Sequence, residues 1–413
     1  MPRRLAPGLL ALAVTAACGG DAPAPAPPVP ALAVTDVASP ATGMTGEPRL
    51  TVSPRGVLLS WVETRGDRAS LQFAERAAGA WTPAREAAAG GDWFVNWADV
   101  PSVLRLSNGH LAAHWLQKSG AGTYAYDVRL AWSGDDGATW SPSMTPHHDD
   151  TESEHGFASL YETADGGLGL VWLDGRGMTG AEGHEAHGGD TGAMSVRAAT
   201  YDTAWQQTSE SAIDLRVCEC CPTAVAVTAD GPIAAFRNRS DDEVRDIHVS
   251  RLAGGVWSEP VPVHEDGWRI PACPVNGPAL SADGRAVAIA WFTVKDDQGQ
   301  AFAAFSADAG RTFSAPIRLD DAGALGRVGI DLLPGGRALA TWIEFADGRA
   351  QFRARLVDPT GARGEAVTIA GIEGSRASGY PRVARHGDEI VFAWTATVDG
   401  TSSVQTAVAM LPR

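Results

Sequence analysis

Residues 283–291, DGRAVAIAW, join a glycine turn to an alternating apolar segment that ends on an aromatic residue. The pattern recurs as RGVLLSW ending at Trp61, NGHLAAHW at Trp115, GGLGLVW at Trp172, DGPIAAF at Phe236, GGRALATW at Trp342 and GDEIVFAW at Trp394. Successive terminal aromatics lie 54, 57, 64, 55, 51 and 52 residues apart. Alternation predicts strands, and a fixed period of this size is typical of a propeller or a solenoid.

Each of the seven copies is preceded by a short strand-like segment and followed by a third, and six of them continue into a fourth. The seventh copy ends at Arg413 without a fourth segment, whereas residues 31–38, ALAVTDVA, resemble that missing strand. Pairing the first strand of the chain with the last blade would leave no open edge. We therefore predict that residues 31–413 form one domain, an all-β, seven-bladed β-propeller.

The first thirty residues predict export. Arg3 and Arg4 precede the apolar residues 9–14, and a small-residue stretch ends at Cys18, which resembles the lipid-attachment site of a bacterial lipoprotein. Residues 1–17 then form the signal peptide, and the Pro- and Ala-rich residues 18–30 form a spacer. An ordinary cleaved leader with a chance cysteine is the alternative.

These features predict a protein of the bacterial cell envelope, held to a membrane by its lipid alone. Because Gly19 stands where an aspartate would favour inner-membrane retention, the outer membrane is favoured. Removing Arg3 and Arg4 with the leader changes the formal charge from -16 to -18, which makes nucleic acid an unsuitable partner. We expect a monomer.

Two turns share the pattern S-x-D-x-G-x-T-[WF], at residues 133–140 and 306–313. Their carboxylates can accept hydrogen bonds from the turn, their glycines can adopt positive φ, and their aromatics can pack beneath the blade. The turns resemble the Asp-box (BNR repeat) of the sialidase (neuraminidase) superfamily of propellers. The residues concerned are Asp135, Gly137, Trp140, Asp308, Gly310 and Phe313.

Long loops rich in His, Asp, Glu, Arg and Trp fall on one face of the predicted ring in blades one to five, whereas those of blades six and seven are shorter and plainer. Such loops on a rigid scaffold usually carry binding or catalysis, although they could simply be solvated. The sialidase resemblance implies an arginine clamp for a carboxylate, a Tyr nucleophile activated by Glu, and an Asp acid. The residues in position for catalysis are Asp99, Tyr124, Glu152 and Glu243, and those for substrate binding are Trp93, Asp149, Arg176, Arg237, Arg245 and Trp268.

This chain departs from the sialidase pattern in two respects. It has seven repeats instead of the usual six, and its first blade carries EPRL, residues 47–50, in place of a Phe-Arg-Ile-Pro type motif. The resemblance therefore predicts an exported propeller that binds, and as an exo-glycosidase of sialidase type hydrolyses, a glycan. A non-catalytic propeller that binds a glycan or a protein partner is the alternative, because one fold hosts many functions.

Cysteines offer a second chemistry on the same face. Cys218, Cys220 and Cys221 precede the first strand of blade four, and Cys273 precedes that of blade five. Outside the cytoplasm we expect two disulfides, the longer joining Cys273 to Cys220 or Cys221. Thiolates also suit copper or zinc, for which the histidines on adjoining loops could add ligands, although no cofactor is required. Those histidines are His147, His148, His155, His184 and His187.

Overall fold

The computed structural model describes residues 1, 32–178, 192–321 and 323–411. These residues form an all-β structure of 29 strands with one 3-10 helix, Arg376–Ser378. No helix within these ranges is long and apolar enough to cross a membrane. The predicted leader and spacer, Cys18, His184 and His187 lie outside the described residues, so what the sequence predicts of them stays a prediction.

The strands of the N-terminal half fall into four successive sheets. The chain begins with β1 (Val34–Val37), which belongs to the last blade. Blade 1 contains β2 (Thr45–Val52), β3 (Val57–Arg65), β4 (Arg68–Ala77), β5 (Ala80–Trp81) and β6 (Arg85–Gly90). Blade 2 contains β7 (Ser102–Arg105), β8 (Leu111–Lys118) and β9 (Tyr126–Ser133). Blade 3 contains β10 (His155–Glu162), β11 (Leu168–Asp174), β12 (Met194–Tyr201) and β13 (Gln207–Val217). Blade 4 contains β14 (Ala224–Thr228), β15 (Gly231–Arg237), β16 (Ile247–Ala253), β17 (Val256–Trp257) and β18 (Val261–Pro262).

The C-terminal half supplies the other three sheets. Blade 5 contains β19 (Ala279–Asp283), β20 (Ala286–Lys295), β21 (Gln298–Ser306) and β22 (Ile317–Arg318). Blade 6 contains β23 (Ala324–Leu332), β24 (Ala338–Ala346), β25 (Arg349–Val357) and β26 (Val367–Ile372). Blade 7 contains β27 (Arg382–His386), β28 (Glu389–Val398) and β29 (Thr401–Met410), with β1 as its fourth strand.

The seven sheets form a closed ring. The first strand of each blade contacts the first strand of the next, in the order β2, β7, β10, β14, β19, β23, β27 and back to β2. Within each sheet the first three strands pair antiparallel in chain order, as the short turns between them require. The predicted all-β, seven-bladed β-propeller is confirmed.

Strand β1 closes the ring as predicted. It pairs antiparallel with β29, so that Val34 lies opposite Ala409 at one end of the pair. Side chains join the same two blades: the guanidinium of Arg76 in blade 1 donates two hydrogen bonds, of 2.9 and 3.2 Å, to the Glu389 carboxylate in blade 7. This junction between the first and last blades, which we call the seam, therefore has backbone and side-chain links.

The aromatic residues that end the seven repeats are core residues. None is more than 6% exposed: Trp61, Trp115, Trp172, Phe236, Trp291, Trp342 and Trp394. They fill the spaces between neighbouring sheets; Trp394 of blade 7, for example, lies 6.4 Å from the Phe352 ring of blade 6. Burying a side chain of this size contributes about 2 kcal/mol or more. The repeat that predicted the blades thus also holds them together.

The outer strands are the least regular. In blade 2 the fourth strand is reduced to a single bridge between Leu130 and Met144. Pro142 and Pro146 flank that bridge and lack the backbone N–H that a continuous ladder needs. The sequence predicted a fourth segment here, and the prolines explain why it does not form a strand.

The two S-x-D-x-G-x-T-[WF] turns have equivalent hydrogen bonds. Asp135 accepts from the Thr139 backbone N–H at 2.8 Å and from its hydroxyl at 2.6 Å. Asp308 accepts from Thr312 in the same two ways, at 2.9 and 2.8 Å. These bonds lower the pKa of the Asp135 carboxyl to about 2. Both central glycines have positive φ, and the Trp140 and Phe313 rings pack against neighbouring core clusters.

Candidate functional site

Three thiols meet at the axial face, the end of the ring formed by the loops that enter each blade and those that join its second and third strands. Cys218, Cys220 and Cys221 follow β13 and are buried. The Cys218 Sγ lies 3.0 Å from the Cys221 Sγ and 4.0 Å from the Cys220 Sγ, and the three sulfur atoms lie within 4.8 Å of one another. Cys273, partly buried, packs against the same group. We call these four residues the thiol cluster.

No member of the thiol cluster is disulfide-bonded. A disulfide holds its sulfur atoms about 2.05 Å apart, whereas the sulfur atoms of Cys218 and Cys221 are 3.0 Å apart. The predicted bridge from Cys273 to Cys220 or Cys221 is therefore absent. The positions of the four cysteines in the repeats correctly predicted that they share one face. These positions could not distinguish disulfides from free thiols.

Positive charge is held against the thiol cluster. The Arg245 Nη1 donates hydrogen bonds to the Cys218 Sγ at 3.3 Å and to Glu219 at 2.8 Å, and its Nη2 donates to Glu243 at 2.9 Å. Arg239 also pairs with Glu219 and Glu243. Burial raises the pKa of the Cys218 thiol, but hydrogen bonds from the two neighbouring thiols and the Arg245 guanidinium hold it well below its usual value. Cys218 is thus the thiol most readily ionised.

The predicted substrate-binding role of Arg237 is incompatible with its surroundings. Its side chain is buried, and its Nε and Nη2 donate to the Asn276 carbonyl at 2.9 and 2.8 Å. Its other hydrogen bonds reach the carbonyls of Arg245, at 2.5 Å, and Phe292, at 2.7 Å. The buried Trp268 ring covers the guanidinium at 4.9 Å. Arg237 and Trp268 are structural residues, and Arg245, also buried, serves the thiol cluster.

Arg176 does not complete a clamp for an anion either. Its guanidinium pairs with Asp174 at 2.7 Å, Glu210 at 2.9 Å and Asp149 at 3.0 Å. A carboxylate ligand would have to displace these internal partners. The three arginines that the sequence suggested are therefore separately occupied, and they do not form the carboxylate clamp that the sialidase resemblance implies.

The remaining predicted residues are dispersed. The Trp93 ring stacks on Trp115 with centroids 5.7 Å apart, so it supports blade 2 instead of standing free. Glu152 is exposed, whereas Glu243 is bound in the ion pairs with the arginines beside the thiol cluster. Of the four residues proposed for catalysis, only Asp99 and Tyr124 lie near other groups suited to proton transfer.

Asp99 belongs to a buried proton-sharing group that the sequence reading missed. The Tyr126 hydroxyl lies 2.8 Å from Glu154 Oε1 and 3.1 Å from Asp99 Oδ2, and Asp99 also accepts from the Phe157 N–H at 2.7 Å. A phenol has one proton, so one of the two carboxyls must be protonated to satisfy both contacts. Burial raises the pKa of Asp99 to about 7 and that of Glu154 to about 8.

Tyr124 connects this group to the thiol cluster. Its ring meets Phe94 edge-on at 6.1 Å. Partial burial, followed by the charges of Glu154 and Cys273, raises the pKa of its hydroxyl. Tyr124 and Tyr126 occur in YAYD, residues 124–127, and strand alternation would place both on one face. Because β9 begins only at Tyr126, Tyr124 lies outside the strand, and the pattern did not show which of the two is buried beside the carboxyls.

Blades six and seven contribute more to the axial face than their short loops predicted. The Trp97 ring stacks on Tyr380 at 6.0 Å and is covered by the guanidinium groups of Arg327, at 4.8 Å, and Arg376, at 5.8 Å. The Tyr380 hydroxyl donates to the Val275 carbonyl at 2.6 Å. Trp97 and Tyr380 also pack against the thiol cluster. An aromatic and cationic wall therefore borders the thiols.

Histidines form a separate group between blades 2 and 3. The rings of His147 and His155 stack at 3.7 Å, and the surrounding carboxylates are Asp127, Asp149 and Asp174. His148, predicted as a partner of His147, instead points outward and contacts Gln207 at 2.8 Å. His155, which the sequence offered as a ligand, and Asp127, which it did not, are the neighbours of His147. Their separation in the sequence, across a loop, hid the association.

Comparison with known proteins supports the fold. No family model matches the chain, and no curated protein matches it. Among solved structures, a protein of unknown function from Dyadobacter fermentans is 14% identical, with a TM-score of 0.52 and coverage of 89% of this chain and 95% of that chain. The polysaccharide lyase Uly1 is 11% identical, with a TM-score of 0.52 and coverage of 89% and 90%. A mutant of the NanB sialidase from Streptococcus pneumoniae is 9% identical, with a TM-score of 0.48 and coverage of 86% and 83%. At these identities the likeness is one of fold alone.

Proposed function

We propose that this propeller binds a soft metal ion, copper(I) or zinc, through the thiolates of Cys218, Cys220 and Cys221 at its axial face. The observation that carries this function is the convergence of three buried Sγ atoms within 4.8 Å of one another. Cys273, from the next blade, is the candidate fourth ligand. Thiolate sulfur is the donor that copper(I) and zinc select in proteins.

The surroundings of the Cys218 sulfur suit a thiolate better than a thiol, whereas burial raises the pKa of Cys220 and Cys221, whose protons a bound cation would displace. Ligand thiols must lose their protons, so the buried Arg245 guanidinium, 3.3 Å from the Cys218 Sγ, compensates part of the resulting charge. Trp97 and Tyr380 exclude water from one side. If the predicted leader exports the protein, a bound ion would also keep the thiols from oxidation in a compartment where free cysteines rarely persist.

The test is the metal content of the full chain, purified without chelators or affinity metals. We expect the copper or zinc content to fall by about one ion per chain in Cys221→Ser and to be unchanged in His386→Ala, a control at an exposed residue that ends β27. Far-ultraviolet circular dichroism checks folding. A purified wild type that holds no more metal than Cys221→Ser, whose Cys218 and Cys221 prove to be disulfide-linked by mass spectrometry and which after reduction takes up no more zinc than that variant, would contradict the proposal.

Glycan hydrolysis is a second candidate, favoured by the group of Asp99, Tyr126 and Glu154. Glu154 is partly exposed and its carboxyl has a pKa of about 8, so it can deliver a proton to a leaving group near neutral pH. Turnover of sialosides and other acidic glycans should then fall at least about a hundredfold in Glu154→Gln, whereas the exposed Glu152→Gln should retain it. Glycan binding without any turnover would instead support the non-catalytic alternative.

We also propose that a lipid attached to Cys18 holds the protein at a membrane. This attachment is tested independently of the axial face by labelling cells with a radioactive fatty acid. Cys18→Ser should abolish the label and release the protein from the membrane fraction, whereas labelled Cys18→Ser protein would exclude this attachment site.

A further inference from the structure

We propose a second metal site, distinct from the thiol cluster, in which Asp127, His147 and His155 hold a divalent first-row transition ion. The ligand atoms are Asp127 Oδ1, His147 Nε2 and His155 Nδ1, which lie within 4.8 Å of one another. The His155 side chain is fully buried and that of His147 is 5% exposed. The site joins blade 2, through β9, to blade 3, through β10.

These three ligand atoms lack hydrogen-bond partners. Asp127 Oδ1 lies 3.3 Å from His155 Nδ1 and 3.6 Å from His147 Nε2, yet each of the three atoms is buried without a hydrogen bond. An unsatisfied buried polar atom costs about 1–3 kcal/mol, and such atoms are uncommon in folded proteins. One cation among them would satisfy all three.

A carboxylate behind the two imidazole rings orients them for metal binding. The other nitrogens of both rings face one carboxylate: Asp149 Oδ2 lies 3.2 Å from His155 Nε2 and 3.4 Å from His147 Nδ1. Histidines that bind metals usually donate their second N–H to a carboxylate, which fixes the tautomer and the ring orientation. Asp149 is itself oriented by the Thr151 hydroxyl, at 2.7 Å, and by Arg176, at 3.0 Å.

The donor set selects the kind of ion. Two imidazole nitrogens and one carboxylate oxygen suit zinc, copper(II) or iron(II), whereas calcium and magnesium prefer oxygen ligands alone. Asp127, Asp149 and Asp174 supply three negative charges near His155, against the single positive charge of Arg176. The ring planes are 10° from parallel, so binding should tilt the rings until their nitrogen lone pairs converge.

Zinc binding tests this inference separately from the thiol cluster. The full chain carrying Cys218→Ser, Cys220→Ser and Cys221→Ser is titrated with Zn²⁺ by calorimetry. We expect about one ion per chain, lost in His147→Ala, weakened at least about tenfold in Asp127→Asn and Asp149→Asn, and unchanged in His148→Ala. The last variant is a matched control because His148 is adjacent in sequence but exposed.

X-ray absorption of the zinc-loaded chain gives the second readout. Only nitrogen and oxygen neighbours should surround the ion in the background that lacks the three thiols. Absence of zinc uptake in that background, or equal uptake by the folded His147→Ala variant, would overturn the site. The group would then be explained by ion pairs between a protonated His155 and its neighbouring carboxylates. Neither result bears on the thiol cluster, which is tested in the chain with its cysteines intact.

Discussion

Arg237 donates hydrogen bonds to backbone carbonyls in three different segments of the chain, at Asn276, Arg245 and Phe292. Replacing it with methionine keeps the apolar stem but leaves those buried carbonyls unpaired. We expect Arg237→Met to lower the free energy of unfolding by about 3 kcal/mol or more, measured by urea denaturation. The control is Arg269→Met, because Arg269 is largely exposed and its loss should change the free energy by about 0.5 kcal/mol at most. An equally small effect at Arg237 would contradict its structural role.

Glu154 should make stability depend on pH. Its carboxyl has a pKa near 4.5 when exposed and about 8 in the fold, where burial favours the protonated form. Its contribution to stability is thus complete below about pH 4.5 and is lost as the pH rises through about 8. Between about pH 6 and about pH 9, Glu154→Gln should lose less stability than the wild type in urea denaturation. Glu152→Gln should follow the wild type, and parallel curves for all three proteins would refute the assignment.

At this scale the sequence indicated which residue types face the axis but not what each one binds. Arg245 and Glu243 both looked available, yet they pair with each other, and Arg245 also pairs with Glu219, which precedes it by two strands, β14 and β15. Ion pairs of this kind depend on side chains that meet only after folding. Asp127 was missed for the same reason, whereas the cysteines were found because their rarity made them conspicuous.

At the scale of strands and turns, prediction was most successful where local pattern and packing agree. The alternating segments became the second strand of every blade, because their apolar side chains fit between two sheets. The outer strands were harder to predict: they pack on one side only, and in blades 1 and 4 two short pieces pair with the third strand. Disulfide-bonded cysteines and metal-binding cysteines can have the same spacing in a sequence, so the sequence could not decide which role the thiol cluster has.

The turn glycines allow backbone strain and steric clash to be separated. Gly137 has φ of 82°, and an added Cβ would lie 2.5 Å from the Phe73 ring. Gly109 has φ of 90°, but a Cβ there would meet no atom within 4 Å. Gly109→Ala should therefore cost about 1 kcal/mol for the left-handed backbone alone, and Gly137→Ala about 1–3 kcal/mol more. Thermal denaturation of both variants provides the comparison, and equal losses would show that the Phe73 ring moves aside freely.

At the scale of the whole molecule, ring closure depends on a four-residue strand. Without β1, the edge of β29 would be open to pairing with another chain. A chain that begins at residue 39 should therefore unfold at a lower temperature than one that begins at residue 32, and it should form larger species in size-exclusion chromatography. Equal melting temperatures and a monomeric profile for both would show that the side chains of the seam suffice to close the ring.

The antiparallel pairing of β1 and β29 also brings the two ends of the folded chain together. Because Val34 lies opposite Ala409, residues 32 and 411 are neighbours at the same end of blade 7. A short connecting peptide could join them as an ordinary hairpin loop, and new termini could then be opened in an exposed turn of another blade. The propeller should therefore tolerate circular permutation, because the closed ring of blades does not depend on which blade is translated first.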